Sequence, residues 1–243
     1  KPNGMVITTG PTGSGKTTTL YEILHYLNSS EIKIITLEDP VEYKLAGINQ
    51  SQIDSGKGYT FAGGLRSILR QDPDVVMVGE IRDLETADIA INASLTGHVV
   101  LSTIHTNSAA GAIPRFLAMG VKNYLLSPSL NAIMGQRLVR RLCMSCKHEA
   151  TPDDQTLTRV KQELSTLTPQ SGMTVDMANL HFWESTGCDA CHGVGFKGRI
   201  GIYEILTMNP EIEQQIISAQ VSEYIIEEIA TKNGMVTMVQ DGL

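Results

Sequence analysis

The 243-residue chain is poor in aromatic side chains and has no excess of positive charge. Phe, Trp and Tyr make up 5% of it, and 26 Asp and Glu outnumber 19 Lys and Arg, which gives a net charge of −7. Proteins that bind nucleic acid usually present a basic surface or interleaved aromatic and basic residues. We therefore expect no nucleic-acid partner, although the overall charge leaves room for a local basic stripe.

Long hydrophobic runs are absent as well. No apolar stretch reaches about 18 residues, so the sequence predicts no membrane-spanning helix, and it shows no secretory signal pattern. The hydrophobic residues, 42% of the chain, are spread over short runs that suffice for one sizeable core and a smaller appendage. The first apolar run directly follows the opening Lys-Pro-Asn-Gly, and we expect the chain to be a fragment that lacks an N-terminal domain.

Cysteine is scarce, and its placement is informative. The four cysteines form two pairs, Cys143/Cys146 and Cys188/Cys191, and none is scattered. Secreted scaffolds spread their cysteines over many disulfides, whereas paired cysteines are typical of metal sites in reducing compartments. The pattern predicts a metal site whose ligands are the two cysteine pairs.

In the first half of the chain, apolar runs alternate with amphipathic helical patterns. Four runs predict buried strands: Met5–Gly10, Lys33–Asp39, Val75–Glu80 and His98–Ile104. Helices are predicted between them, and Thr60 and Asp83 are predicted N-caps. This alternation indicates an α/β fold with a mostly parallel sheet covered on both faces. Ligands of such sheets bind at the carboxyl ends of the strands, where polar residues follow each run.

The pattern changes in the second half. The apolar spacing over Leu130–Leu142 predicts a helix that begins after Ser127-Pro128. Residues 150–180 are polar and are interpreted as an insertion. Gly198–Leu206 resembles a strand, and Pro210–Lys232 is helical in pattern.

A phosphate-binding loop follows the first predicted strand. The stretch GPTGSGKTT contains the pattern of two spaced glycines followed by Lys16 and Thr17, between a strand and a helix. Glycines let backbone N–H groups turn toward phosphates, and the helix N-terminus adds a positive dipole. We predict that Lys16 reaches the β- and γ-phosphates of ATP and that Thr17 ligates Mg²⁺. The predicted nucleotide-binding residues are Gly10, Pro11, Thr12, Gly13, Ser14, Gly15, Lys16, Thr17 and Thr18.

The catalytic acid is not where many P-loop ATPases carry it. Their aspartate ends a buried strand, but Gly79 occupies that position here, and Asp74 lies at the wrong end of the strand. Glu38, directly after the second predicted strand, is predicted to orient or deprotonate the attacking water. Glu80 is predicted to hold the Mg²⁺ shell through water. The alternative for Glu38 is ordinary solvation at the surface.

Three arginines accompany these acids. Arg66 and Arg70 are four residues apart and share one helical face, and Arg82 follows Glu80 closely. We predict that they neutralise charge in the transition state of phosphoryl transfer. The alternative is ordinary ion pairing with nearby aspartates, namely Asp72, Asp74 or Asp83.

Two histidines flank the fourth predicted strand. His105 follows the strand, at the end where a γ-phosphate sensor lies in many such motors, and we predict that role for it. His98 lies at the opposite end, where a structural role is the better interpretation.

The two cysteine pairs suit tetrahedral zinc in a closed structural site. The 41 residues between the pairs are no obstacle, because doubling a loop costs only about 0.6 kcal/mol and zinc binding returns roughly 10–16 kcal/mol in peptides. Two alternatives stay open. Cys188-Asp-Ala-Cys191-His192 also has the pattern of haem attachment, and the cysteines could form redox-active or disulfide pairs.

At this point the residues resemble a family. LRQDPDVVMVGEIRD (69–83) looks like the signature of the secretion ATPases of the type II secretion and type IV pilus class. TLEDPVEY (36–43) is similar to their aspartate box and TGHVVLSTIHTN (96–107) to their histidine box. With the P-loop, these motifs occur in the family's order, and the cysteine pairs extend the match to about Arg199. Gly79-Glu80 then matches the family's atypical Walker B motif, so a glycine in place of the aspartate does not imply an inactive ATPase.

The resemblance implies a RecA-like P-loop NTPase core in a homohexameric cytoplasmic ATPase that uses ATP, Mg²⁺ and Zn²⁺. It implies a motor for pilin or pseudopilin polymerisation, peripheral at the inner membrane through a platform protein and a cytoplasmic adaptor. The tetracysteine favours assembly or secretion motors over retraction motors. Arg115 is predicted to face the nucleotide, and Pro114 is predicted to kink or break any helix around it.

We accordingly predict three parts of the chain: a RecA-like ATPase core (1–135), a tetracysteine metal-binding subdomain (136–200) and a C-terminal helical subdomain (201–243). A RecA-like nucleic-acid translocase and a nucleotide sensor without turnover are the alternative functions.

Overall fold

The computed structural model describes residues 2–218 and 221–243 and has an α/β architecture built on a seven-stranded sheet. The strands of the first half are β1 (Gly4–Thr9), β2 (Ile34–Glu38), β3 (Asn49–Gln52), β4 (Val75–Val78) and β5 (Val99–Ile104). The long strands β6 (Leu130–Leu142) and β9 (Phe196–Thr207) complete the order β3-β2-β4-β5-β1-β6-β9. Neighbours are parallel except for the antiparallel pair β6–β9, which confirms the mostly parallel sheet.

A second, small sheet pairs β7 (Lys147–Ala150) with β8 (Phe182–Ser185) in antiparallel register, and both strands lie in the chain segment between β6 and β9. The helices are α1 (Lys16–Leu27), α2 (Phe61–Leu69), α3 (Leu84–Leu95), α4 (Ala112–Ala118), α5 (Asn123–Ser129), α6 (Asp154–Ser165), α7 (Pro210–Ile217), α8 (Glu223–Lys232) and α9 (Met238–Asp241). Among the described residues, no helix has both the length and the apolarity needed to cross a membrane.

Both faces of the sheet are buried, and β4 shows why its sequence is continuously apolar. Val76 and Val78 pack into the larger core together with residues of α2 and α3, while Val75 and Met77 pack into the smaller core with α1. A strand covered on both faces needs apolar side chains at every position. Each of these buried side chains contributes roughly 1.5–3 kcal/mol relative to exposure.

Local capping sets the starts of two helices as predicted. The Thr60 side chain accepts a hydrogen bond from the N–H of Gly63 at 3.2 Å, and Asp83 accepts one from the N–H of Thr86 at 2.8 Å. Each bond satisfies a first-turn N–H that has no partner inside the helix. These caps fix where α2 and α3 leave the strand ends that form the site.

The predicted helix over Leu130–Leu142 is wrong, because this segment is β6. Its apolar spacing fits a helix, but the segment pairs in parallel with β1 and in antiparallel with β9, and this long-range pairing outweighs the local pattern. Pro128 accordingly lies in the last turn of α5 rather than in a first turn. The predicted boundaries after residues 135 and 200 fall inside β6 and β9 rather than in linkers.

One further helix prediction needs correction. Pro114 does not break α4, because it is the third residue of that helix, and first-turn N–H groups have no intrahelical partner to lose. The helical pattern over Pro210–Lys232 corresponds to α7 and α8, and residues 219–220 between them lie outside the described residues.

Candidate active site

The P-loop connects β1 to α1 at the carboxyl end of the sheet. Gly15 is the N-cap residue of α1 and has a left-handed backbone, with φ of 91°, which disfavours any residue with a Cβ. Gly10 also has positive φ, and a Cβ there would collide with the backbone oxygen of Gln136 on β6. The glycines of the motif are therefore required by the backbone of the loop and by its close approach to β6.

The ammonium of Lys16 lies over the loop. Its Nζ donates to the carbonyl oxygens of Gly10, at 2.8 Å, and Pro11, at 3.1 Å. Partial burial lowers the pKa of Lys16, and the negative charge of Glu80 partly opposes this shift. Lys16 and Glu80 thus interact electrostatically across the mouth of the loop.

Glu38, the last residue of β2, is 2% exposed. Its Oε2 accepts a short hydrogen bond from the Tyr21 hydroxyl, and its Oε1 accepts bonds from Thr36 Oγ1 at 2.5 Å and Gln50 Nε2 at 3.1 Å. A buried carboxylate needs such donors to stay ionised. The alternative that Glu38 is a solvated surface acid is therefore wrong.

Glu80 follows β4 and faces the same region, with a side chain 13% exposed. Its Oε2 accepts from Arg82 Nε at 2.6 Å and lies 3.4 Å from His105 Nε2. The structure shows why Gly79 precedes it. A Cβ at Gly79 would lie 3.2 Å from the carbonyl oxygen of Leu37 and 3.4 Å from the Phe61 ring, so an aspartate there would be crowded. The acid lies one position later, where there is room.

These groups line one cleft of about 650 Å³. Glu38, Glu80 and the P-loop come from separate strand ends, as predicted from the parallel sheet. The predicted site residues that line it are Thr12, Gly13, Gly15, Lys16, Thr17, Thr18, Glu38, Glu80, Arg82 and His105. Gly10, Pro11 and Ser14 belong to the loop but are not among the residues that line the cleft.

Arg66, Arg70 and Arg115 do not line the cleft. The Arg66 guanidinium pairs with Glu85 at 2.7 Å on the surface, whereas the predicted alternatives were aspartates. Arg70 is the C-cap residue of α2. The charge-neutralising role of Arg66 and Arg70 and the nucleotide contact of Arg115 stay predictions.

The predicted structural role of His98 agrees with its position. Its Nδ1 donates to the carbonyl oxygen of Ala93 at 3.0 Å, at the carboxyl end of α3 and away from the cleft.

Several residues of the cleft were not predicted from the sequence. Leu138 of β6 and Arg199 of β9 line it, and the buried Gln136 donates from Nε2 to the carbonyl oxygen of Ser14 at 2.7 Å. The prediction missed Gln136 and Leu138 because it assigned residues 130–142 to a helix. Arg199 lies within the predicted strand Gly198–Leu206, but nothing in the sequence indicated that this strand pairs with β6. Tyr21 and Gln50, which bind Glu38, were also missed. The one sequence feature that could have indicated Tyr21 was the occurrence of a tyrosine on the apolar face of the helix that follows the P-loop.

The four cysteine sulfurs form a second candidate site. All four Sγ atoms lie within 4.8 Å of one another, and the Cys143–Cys188, Cys146–Cys191 and Cys188–Cys191 pairs are 3.9, 3.9 and 3.8 Å apart. Zinc with Zn–S bonds of about 2.3 Å in a tetrahedron separates its sulfurs by about 3.8 Å. The four-cysteine cluster therefore fits a tetrahedral metal ion, and its sulfurs are too far apart for disulfides.

Backbone donors favour the thiolate form of Cys191 in this cluster. The N–H groups of Cys188 and Gly195 each donate to the Cys191 sulfur at 3.2 Å. The bond from Cys188, followed by that from Gly195, lowers the pKa of Cys191 to about 6. A thiolate is the form that binds a metal ion.

Comparison with known proteins places the chain among secretion proteins. A family model described as "Type II/IV secretion system protein" matches residues 1–243. Type II secretion system protein E of Aeromonas hydrophila is 48% identical over 229 residues, which are 94% of this chain and 43% of that protein. The Type IV pilus assembly ATPase PilB of Thermus thermophilus is 46% identical over 244 residues, 100% of this chain and 26% of that protein. The chain thus spans less than half the length of these curated relatives.

Solved structures show the same fold. The pilus retraction motor PilT, described with bound ADP, aligns over 99% of this chain and 61% of its own, with a TM-score of 0.64 and 28% identity. The ATPase DotB of Legionella pneumophila aligns over 99% of this chain and 55% of its own, with a TM-score of 0.64 and 22% identity, a likeness of fold alone. The resemblance and the fold class predicted from the sequence motifs are confirmed.

Proposed function

This chain belongs to the type II/IV secretion system protein family, and from that premise we propose that it is the ATP-hydrolysing part of an assembly motor. The motor would drive formation of a type IV pilus or of the pseudopilus of type II secretion. The observation that carries the proposal is the single cleft that joins the P-loop to the buried Glu38. The relatives are named for secretion and pilus assembly, and they do not support the alternative of a nucleic-acid translocase.

Each group in the cleft has a part in the proposed reaction. The loop N–H groups and the start of α1 bind the phosphates, and Lys16 adds charge at the β- and γ-phosphates. Glu38 accepts a proton from water as its oxygen attacks the γ-phosphorus, and ADP leaves with the bridging oxygen. Arg82 and His105, both close to Glu80, hold that carboxylate at the edge of the cleft.

Mg²⁺ fits the donors of the cleft, because it prefers oxygen ligands: the Thr17 hydroxyl would bind it directly, and the Glu80 carboxylate would hold its shell through water. Bound there, Mg²⁺ would neutralise phosphate charge. For the second site we propose Zn²⁺, since four sulfurs at tetrahedral spacing leave no open position for catalysis. Haem attachment to Cys188 and Cys191 would leave Cys143 and Cys146 without a partner, although all four sulfurs converge.

We extend the proposal to a homohexamer in the cytoplasm, peripheral at the inner membrane through a platform protein and a cytoplasmic adaptor. The family resemblance supports this arrangement. Arg66, Arg70 and Arg115 also lie outside their own cleft, where they are available to a neighbouring subunit.

Two substitutions in the full-length protein test the proposed hydrolysis. Lys16→Ala should abolish ATP turnover, because the β- and γ-phosphates lose their main cation. Glu38→Gln should lower turnover by about 100-fold or more while ATP binding persists, because an amide cannot accept the proton. Phosphate release and nucleotide titration measure the two effects.

Lys57→Ala and Glu31→Gln, at exposed positions outside the cleft, are the matched controls. Equal turnover in the parent and in Lys16→Ala would refute the proposal. Absence of turnover in the parent, with ATP bound, would favour a nucleotide sensor instead.

A further inference from the structure

The carboxylate of Glu38 is held by a closed set of side chains from three elements. Tyr21 comes from α1, Thr36 from β2 itself and Gln50 from the edge strand β3. Tyr21 and Thr36 are fully buried, and Gln50 is half-buried. A surface acid needs no such arrangement, so the donors serve to fix the carboxylate in one orientation.

The direction of each hydrogen bond is determined by its partners. Gln50 Oε1 accepts from the N–H of Leu45 at 2.7 Å, so its amide nitrogen faces Glu38 Oε1 at 3.1 Å. An ionised carboxylate only accepts hydrogen bonds, so the Tyr21 hydroxyl is the donor to Oε2. Burial, followed by the hydrogen bond to Glu38, raises the pKa of Tyr21 and keeps that proton in place.

The two carboxylate oxygens of Glu38 accept different numbers of hydrogen bonds. A carboxylate oxygen accepts about two hydrogen bonds. Oε1 has two donors, from Thr36 and Gln50, whereas Oε2 has one, from Tyr21. The unused acceptor position therefore belongs to Oε2.

We propose, resting on the proposed function, that Tyr21 and Gln50 are positioning residues that orient Glu38 so that Oε2 receives the proton of the attacking water. A lone pair of Oε2 forms the new O–H bond. The water oxygen forms its bond to the γ-phosphorus, and the bond from that phosphorus to the bridging oxygen breaks, with the electron pair leaving on ADP.

The position of Tyr21 connects this base to the phosphate site. Tyr21 lies on α1, five residues after Lys16, and its ring packs edge-to-face on Tyr43 with centroids 4.7 Å apart. The helix that begins at the phosphates therefore also orients the base. A rigid helix keeps the phosphate site and Glu38 at a constant distance and orientation, which in-line attack requires.

Tyr21→Phe in the full-length protein tests the role of the hydroxyl. We expect kcat to fall about tenfold while the ATP dissociation constant stays unchanged, since the phenyl ring keeps the packing. The acidic limb of the pH profile of kcat should move to higher pH by about one unit, because the ionised carboxylate loses a donor. Tyr26→Phe is the matched control, on the same helix but 89% exposed.

Gln50→Glu sharpens the test. It would place a second carboxylate beside Oε1, and like charges disfavour ionisation of the pair. The acidic limb should then move to higher pH by more than it does in Tyr21→Phe. Thermal unfolding and ATP binding of each variant establish that it is folded.

The outcomes separate the inference from the function on which it rests. A pH profile unchanged in both Tyr21→Phe and Gln50→Glu, with Glu38→Gln inactive, would overturn the positioning role and leave hydrolysis by Glu38 standing. Parent-level turnover in Glu38→Gln would overturn the function itself. Shifted profiles with unchanged ATP affinity would support both.

Discussion

The nucleotide cleft and the cysteine cluster are both polar sites, but they are stabilised in opposite ways. In the cleft, the protein already provides partners for three charged groups: Glu38 has three donors, Lys16 has two carbonyl acceptors, and Glu80 has Arg82. Behind the cleft, both faces of the sheet are buried. The cleft is therefore preorganised by hydrogen bonds and by the core.

The cysteine region has almost no core of its own. Within residues 143–195, all of which the structure describes, the buried positions are Cys143, Leu164, Cys191 and Gly195. β7 and β8 contain no buried residue, and a two-stranded sheet alone is marginally stable. Small regions without a core usually need a metal ion or disulfides. Under the proposed zinc site, the ion would take the place of a hydrophobic core here.

Loss of the metal should have the largest effect. Cys188→Ser removes one of four ligands, and structural zinc contributes about 10–16 kcal/mol in peptides. We expect the zinc content to fall from about one per chain to near zero. The amides of β7 and β8 should lose their protection from hydrogen exchange, while those of β1, β4 and β5 keep it.

Metal analysis and hydrogen exchange measure these two outcomes, and Ser145→Ala, inside the first cysteine pair, is the control. ATP affinity should change by less than about threefold, because the strand ends of the cleft rest on the sheet core. Full protection of the β7 and β8 amides from hydrogen exchange in the metal-free protein would show that this region is stable without a metal ion. That result would contradict the proposed difference between the cysteine cluster and the cleft.

Gln136 connects β6 to the P-loop, and its removal should have an intermediate effect. Gln136→Leu leaves the carbonyl oxygen of Ser14 without its buried donor, which costs about 1–3 kcal/mol. We expect the dissociation constant of ATP to rise about tenfold as the P-loop loosens. Nucleotide titration measures this change.

Arg141→Gln is the control for Gln136, since Arg141 is an exposed residue of the same strand. An ATP affinity equal to that of the parent in Gln136→Leu would mean that the P-loop does not depend on β6.

Arg66 should give the smallest effect. Its pair with Glu85 is half-exposed, and such pairs contribute about 0.2–1 kcal/mol to the free energy of unfolding. In the dilute, unassembled protein, Arg66→Gln should leave ATP turnover within about twofold, because Arg66 does not line the cleft. A much larger loss of turnover under those conditions would place Arg66 at its own active site. A loss confined to the assembled ring would support action on a neighbouring subunit.

The first half of the chain was largely predictable from its sequence. β4 is apolar at each position because both of its faces are covered, and Thr60 and Asp83 cap helices at the predicted residues. Each of these signals acts over a few residues, so tertiary contacts reinforce it rather than compete with it.

Two strands of the same sheet were not predictable. β3 reads Asn-Gln-Ser-Gln and has no apolar pattern, because it is an edge strand held by pairing with β2. β6 has helical spacing but is a strand between β1 and β9. In both, hydrogen bonds to distant segments decide the structure, and so Gln50 and Gln136 were not among the predicted site residues.

By itself, the sequence identified the glycine-rich loop, the acids that follow the strands and the four clustered cysteines. Glycine conformations, the charge at a helix start and thiol chemistry are properties of short segments, so they can be read from neighbouring residues. Only the tertiary structure decided how Glu38 is held, why a Cβ at Gly79 would be crowded, and which arginines stay outside the cleft. Those features depend on distances between strands and helices far apart in the chain, which no local pattern encodes.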